Sequence, residues 1–145
     1  MNKNISNVYN LLQEIAWVFG DHGFNGGCCK DLSLVEFMAL KRVYENKDFS
    51  IREVGTSLNF TKSGATRVID RLESKGYVIR EHSPIDGRVC CVRATNKGIN
   101  ILTEVIKENT EYLEKVFKNM KSEMIYNIEN VLKMLVELLQ EQSSK

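Results

Sequence analysis

Apolar residues recur at intervals of three and four along much of this chain, the spacing that lines one face of an α-helix. Val8, Leu11, Leu12, Ile15, Val18 and Phe19 predict a helix over residues 4–19. Leu34, Phe37, Met38 and Leu40 predict a second, opening at Ser33 and running to about Tyr44. Ser33 and Glu36 form an S-x-x-E capping box, in which each side chain satisfies a free backbone N–H. Ser50 and Glu53 repeat that box and open a short helix through Leu58. Asn59 and Phe60 then read as a tight turn, Thr61 as the cap of a helix to Lys75, and Gly76 as its C-terminal glycine. After Gly76 the period changes. Tyr77–His82 and Val89–Arg93 flank Ser83-Pro84-Ile85-Asp86-Gly87-Arg88, whose Pro, Asp and Gly are turn chemistry, so a β-hairpin is expected. Thr95 caps a long helix with Leu102, Val105, Ile106, Leu113, Val116, Phe117 and Met120 on one stripe. A last helix follows Lys121, with Ile125, Ile128, Val131, Leu132, Leu135, Val136 and Leu139. Between the first two helices, Gly20–Asp31 is rich in glycine and reads as a loop.

Composition narrows the class. A chain of 145 residues that is 43% hydrophobic can bury a core. The formal net charge of +1 is uninformative, but its distribution is not. Lys62, Arg67, Arg71, Lys75, Arg80, Arg88 and Arg93 stand against Asp70, Glu73, Glu81 and Asp86 in residues 61–93, whereas acids prevail after Glu104. A local basic excess is what phosphate contact needs. The N-terminus lacks the basic-then-apolar run of a secretory signal, and no stretch approaches ~18 consecutive apolar residues. A cytoplasmic protein without membrane segments is expected, with Cys28, Cys29, Cys90 and Cys91 reduced.

The segment from Ser50 to Arg93 carries the functional signal. Two helices joined by a tight turn, the second amphipathic, form the helix-turn-helix pattern. Gly55, midway along the first, leaves room for the second to cross closely. At ~100° per residue, Ala65, Val68, Ile69 and Leu72 fall on the core side. Ser63, Thr66, Arg67, Asp70 and Ser74 fall opposite. Hydroxyls and an arginine near the N-terminal end of such a helix can bond base edges and phosphates in the major groove. An arginine at a hairpin tip, as Arg88 is, can enter a narrow minor groove. Asp86 is expected to hold that guanidinium by a bidentate bond, with a simple turn-stabilising ion pair as the alternative.

Several segments resemble the MarR (multiple antibiotic resistance regulator) family in order and spacing. They include T-R-V-I-D-R-L-E-S-K-G-Y-V-I-R from Thr66, D-G-R from Asp86 and A-T-N-K-G from Ala94. The resemblance implies a mainly α fold with a small β-wing, a winged helix-turn-helix with N- and C-terminal dimerisation helices. The DNA-binding module would span about 33–94, and the dimerisation helices about 4–20 and 95–142, within a single domain of residues 1–145. It also implies a homodimer on a palindromic double-stranded DNA operator. Ser63, Thr66 and Arg67 would be groove readers, Lys62 and Arg71 phosphate contacts, Arg88 the minor-groove arginine and Asp86 its neighbour at the wing. Gly87 stands where the family often has a second arginine, and Gly64 lies inside the recognition helix.

The adjacent pairs Cys28-Cys29 and Cys90-Cys91 lack structural zinc spacing. One of Cys90 and Cys91 is expected in the core, since strand neighbours point to opposite faces. Cys28 and Cys29, in the glycine-rich loop, are candidate sensors of an oxidant or thiophilic metal. A small aromatic ligand near Trp17, Phe19, Phe24 and Phe37 is the other effector considered. No metal site and no cofactor are expected. The chain lacks a nucleophile–base constellation and a glycine-rich phosphate loop, so an enzyme is not expected. A sequence-specific transcriptional regulator, expected to repress and to be modulated by a small-molecule, metal or redox signal, is the primary reading. A winged-helix protein–protein adaptor without DNA binding is the alternative.

Overall fold

A computed structural model describes residues 1–20 and 29–144, the side chain of Cys90 excepted. Six helices and a hairpin follow one another within these residues. They are α1 (Lys3–Phe19), α2 (Leu34–Glu45), α3 (Ile51–Ser57), α4 (Lys62–Ser74), β1 (Val78–His82), β2 (Val89–Ala94), α5 (Asn96–Val116) and α6 (Ser122–Ser143). The chain divides into two compact units, Met1–Ile106 and Lys107–Lys145.

Helix starts follow local chemistry. Both capping boxes form, with Ser33 and Glu36 opening α2 and Ser50 and Glu53 opening α3. Thr61 accepts from the Gly64 N–H at the start of α4. Thr95 does the same for Gly98 at 3.0 Å. Helix α5 ends at Val116, before the expected Phe117 and Met120, because residues 117–120 close a turn through the Met120 N–H and the Phe117 carbonyl.

The core of the first unit sits between α2, α3, α4, the hairpin and the start of α5. Its largest fully buried side chains are Leu40, Val54, Ile69, Leu72, Val78, Val92 and Leu102. The expected inner face of α4 is the observed one: Ala65, Val68, Ile69 and Leu72 are all buried. Gly55 allows α3 and α4 to cross, since a Cβ there would lie 3.0 Å from that of Ala65. Asn59 makes the turn between them with φ of 60°, and the Phe60 N–H donates to the Gly55 carbonyl at 2.8 Å.

The hairpin pairs β1 and β2 antiparallel, Val78 opposite Ala94, with an irregularity at Glu81/His82. The Val92 N–H also donates to the Phe49 carbonyl, which ties β2 to the α2–α3 connection. Gly98 presses α5 onto the base of the hairpin: a Cβ there would come within 2.1 Å of the Tyr77 carbonyl oxygen.

Helices α1 and α6 differ from these. Neither has a buried residue. Ile5, Val8, Leu11, Ile15 and Trp17 are exposed along α1, as are Ile125, Val131, Leu132, Val136 and Leu139 along α6. Among the described residues no helix is long and apolar enough to cross a membrane.

Candidate nucleic-acid interface

Helix α4 presents the expected strip. Lys62, Ser63, Arg67 and Arg71 are exposed and Thr66 is half-buried. Lys62, Ser63, Thr66 and Arg67 line one open recess together with Thr61. Arg67 and Arg71 border another, with Val35, Asn59, Phe60, Thr61, Gly64 and Val68. The Thr66 hydroxyl donates to the Lys62 carbonyl at 3.0 Å, and the Ser63 and Thr61 hydroxyls are 3.3 Å apart. Acceptor lone pairs on these hydroxyls stay open to an incoming donor.

Arg71 is less free than a phosphate contact was expected to be. Its Nε is 3.8 Å from Oε2 of Glu36, a carboxylate only 4% exposed. Glu36 also closes the α2 capping box and accepts from Lys75 Nζ at 3.2 Å. Burial pushes the Glu36 pKa up, but the Ser33 backbone N–H and the Lys75 ammonium outweigh it, and the net shift is downward. Lys75 Nζ further donates to the Asp31 carbonyl at 2.6 Å. The last turn of α4 is thereby tied to the start of α2.

At the hairpin tip, the expected bidentate Asp86–Arg88 pair does not form. Asp86 Oδ1 accepts instead from the Arg88 backbone N–H at 3.0 Å. Oδ2 lies 3.9 Å from Arg88 Nε. The carboxylate is spent on closing the turn, and the guanidinium side chain is left 87% exposed. The ion-pair alternative is the one observed.

A connection absent from the sequence reading joins the hairpin to α4. Arg80 of β1 pairs with Asp70, and its Nη1 donates to Glu73 Oε1 at 2.5 Å. The Asp70 hydrogen bond leads the rise of the Arg80 pKa. Acids three apart on a helix facing an arginine in the following strand were the available signal.

The cysteines depart from expectation. Cys28 and Phe24 lie outside the described residues. Cys29 is not an accessible loop thiol: it is 2% exposed, joins the core beside Leu32 and is disulfide-bonded. Its short bridge to Leu32 folds it inward. Cys91 is buried, 3.7 Å from a Glu81 carboxylate oxygen, as expected for one of its pair. Neither recess on α4 includes Trp17, Phe19 or Phe37. Among the described residues no three His, Cys, Asp or Glu side chains come together as metal ligands.

Comparison with known proteins agrees with this architecture. The MarR family model matches residues 32–90, which run from the start of α2 into β2. The chain is 28% identical to the HTH-type transcriptional regulator MhqR of Bacillus subtilis over 102 residues, 70% of each chain. Curated relatives are spanned over between 51% and 70% of their length. A MarR family protein from Bacillus stearothermophilus superposes with a TM-score of 0.80 at 25% identity, over 96% of this chain and 98% of that one. Streptococcus pneumoniae FabT, solved in complex with DNA, superposes with a TM-score of 0.67 at 25% identity, over 97% and 96%. The fold is a winged helix-turn-helix, and residues 32–90 match the MarR family.

Proposed function

We infer that this protein is a DNA-binding transcriptional regulator that works as a homodimer. One observation carries the reading: α4, packed into a helix-turn-helix, exposes Lys62, Ser63 and Arg67 near its N-terminal end, and a hairpin follows with Arg88 at its tip. Such helices enter the major groove by that end. Free N–H groups and the helix dipole at the same end favour phosphate. The naming of MhqR as a transcriptional regulator and the DNA-bound form of FabT support the reading.

The two-fold assembly is supported by α1 and α6. Exposed apolar residues along both exceed the scatter normal on a monomer's surface. A second copy of the chain is the occupant that suits a two-fold operator. Ser63, Thr66 and Arg67 read base edges in this scheme, Lys62 contacts phosphate, and Arg88 enters the minor groove. Arg71 offers phosphate the exposed part of its guanidinium while its Nε stays beside Glu36. Asp86 shapes the tip without touching DNA.

The test is binding to a duplex that the protein selects from a random-sequence pool. Affinity should fall steeply with salt. Arg67→Ala and Arg88→Ala should each weaken binding by about tenfold while leaving the melting temperature unchanged. Retention of full affinity by both variants would remove the docking scheme.

A further inference from the structure

Two carboxylates stand where a DNA-reading helix can least use them. Asp70 lies one turn beyond Thr66 and Arg67 on the strip opposite the buried face of α4, and Glu73 flanks it. Their side chains are 57% and 40% exposed. On the reading proposed above, this strip meets a phosphate-lined groove, and bare negative charge there repels it. Both are covered by Arg80. Its Nη2 donates to Asp70 Oδ1 and its Nη1 to Glu73 Oε1, while its backbone N–H donates to Glu73 Oε2 at 3.3 Å. The Arg80 side chain is only 20% exposed, so the guanidinium is more enclosed than the acids it covers. The other acids of this region are also matched to arginines, Glu81 to Arg93 and Asp86 to Arg88.

We propose that Arg80 is an electrostatic shield for the recognition helix, a positioning residue that cancels Asp70 and Glu73 and lets Lys62 and Arg67 dominate the potential at the groove without itself contacting DNA. The formal charge of the Arg80–Asp70–Glu73 trio is −1. It becomes −2 in Arg80→Gln and 0 when Asp70→Asn and Glu73→Gln are added. Shielding and mechanical tethering therefore predict opposite results, because the triple variant lacks the tether as fully as the single one.

The inference depends on DNA binding, so the parent is measured first on the duplex selected from the random pool. If the parent retains no duplex, the DNA-binding reading itself falls. With binding established, Arg80→Gln should bind about tenfold more weakly at low salt, and the gap should narrow as salt rises from about 0.05 to 0.3 M and screens the exposed acids. The triple variant should return to within about threefold of the parent, or bind more tightly. A triple variant as weak as Arg80→Gln, or an Arg80→Gln protein that binds like the parent, overturns the proposal. Should Arg80→Gln alone prove too unstable to assay, the triple variant decides: parental affinity supports the shield, and a tenfold loss refutes it.

Discussion

Helices α4 and α6 carry the same kind of amphipathic pattern, and the chain treats them differently. α4 buries Ala65, Val68, Ile69 and Leu72 within its own unit. α6 buries nothing, although Ile125, Val131, Leu132 and Leu139 line it. A periodic stripe records that a face needs cover and is silent about which molecule supplies it. In α4 the cover is intramolecular, and the opposite face stays exposed, the face proposed above to meet DNA. In α6 the stripe has no such cover within its own unit, and on the reading proposed above a second copy supplies it.

The largest effect should come from attacking the intramolecular side. Gly98→Ala places a methyl group 2.1 Å from the Tyr77 carbonyl oxygen, and only a backbone shift can relieve that. A loss of about 3 kcal/mol or more in urea unfolding is expected. A loss below about 1 kcal/mol would mean that the hairpin and α5 are not locked as described.

The intermolecular side should break differently. Leu132→Glu combined with Leu139→Glu sets charges on a face that is already exposed in the single chain. Sedimentation velocity should then report a monomer that keeps its helical content. Affinity for the selected duplex should fall by about 100-fold as the two modules lose their linkage. A dimer that survives both changes would refer the α6 stripe to some other cover.

The smallest effect should sharpen the comparison within α4 itself. Glu36→Gln keeps the capping geometry but removes the charge facing Lys75 and Arg71. The expected cost at pH 7 is about 1–2 kcal/mol. The folded pKa of Glu36 lies below its ordinary value of 4.5. Its charged form therefore adds stability above that value, and the contribution is lost as pH falls through the lowered folded pKa. The difference between parent and variant should be constant from pH 7 to about 5 and shrink below 4.5. An unchanged difference at pH 3.5 would show that charge is not its source.

Local chemistry makes most of the fold legible in the sequence. Ser33-x-x-Glu36 and Ser50-x-x-Glu53 opened helices where expected, because a capping box is complete within four residues. The inner face of α4 followed from its period. What escaped were contacts between elements. Arg80 meets acids on the preceding helix, Lys75 reaches back to Glu36 and Asp31, and Gly98 touches Tyr77. None of these pairings has a fixed sequence interval. Asp86 departs from the bidentate expectation for another reason. Its carboxylate had a backbone N–H two residues away, and that local partner outcompeted a mobile guanidinium. The glycine-rich neighbours of Cys29 predict a loop, yet it folds into the core.

Glu36 belongs to two helices at once. Its carboxylate begins one and anchors the final turn of the other. Transplanting residues 61–75 from a relative would replace the lysine and the arginine that fit this acid. The graft would have to bring the matching position in the earlier helix along with it, or the new reading head would sit at the wrong pitch.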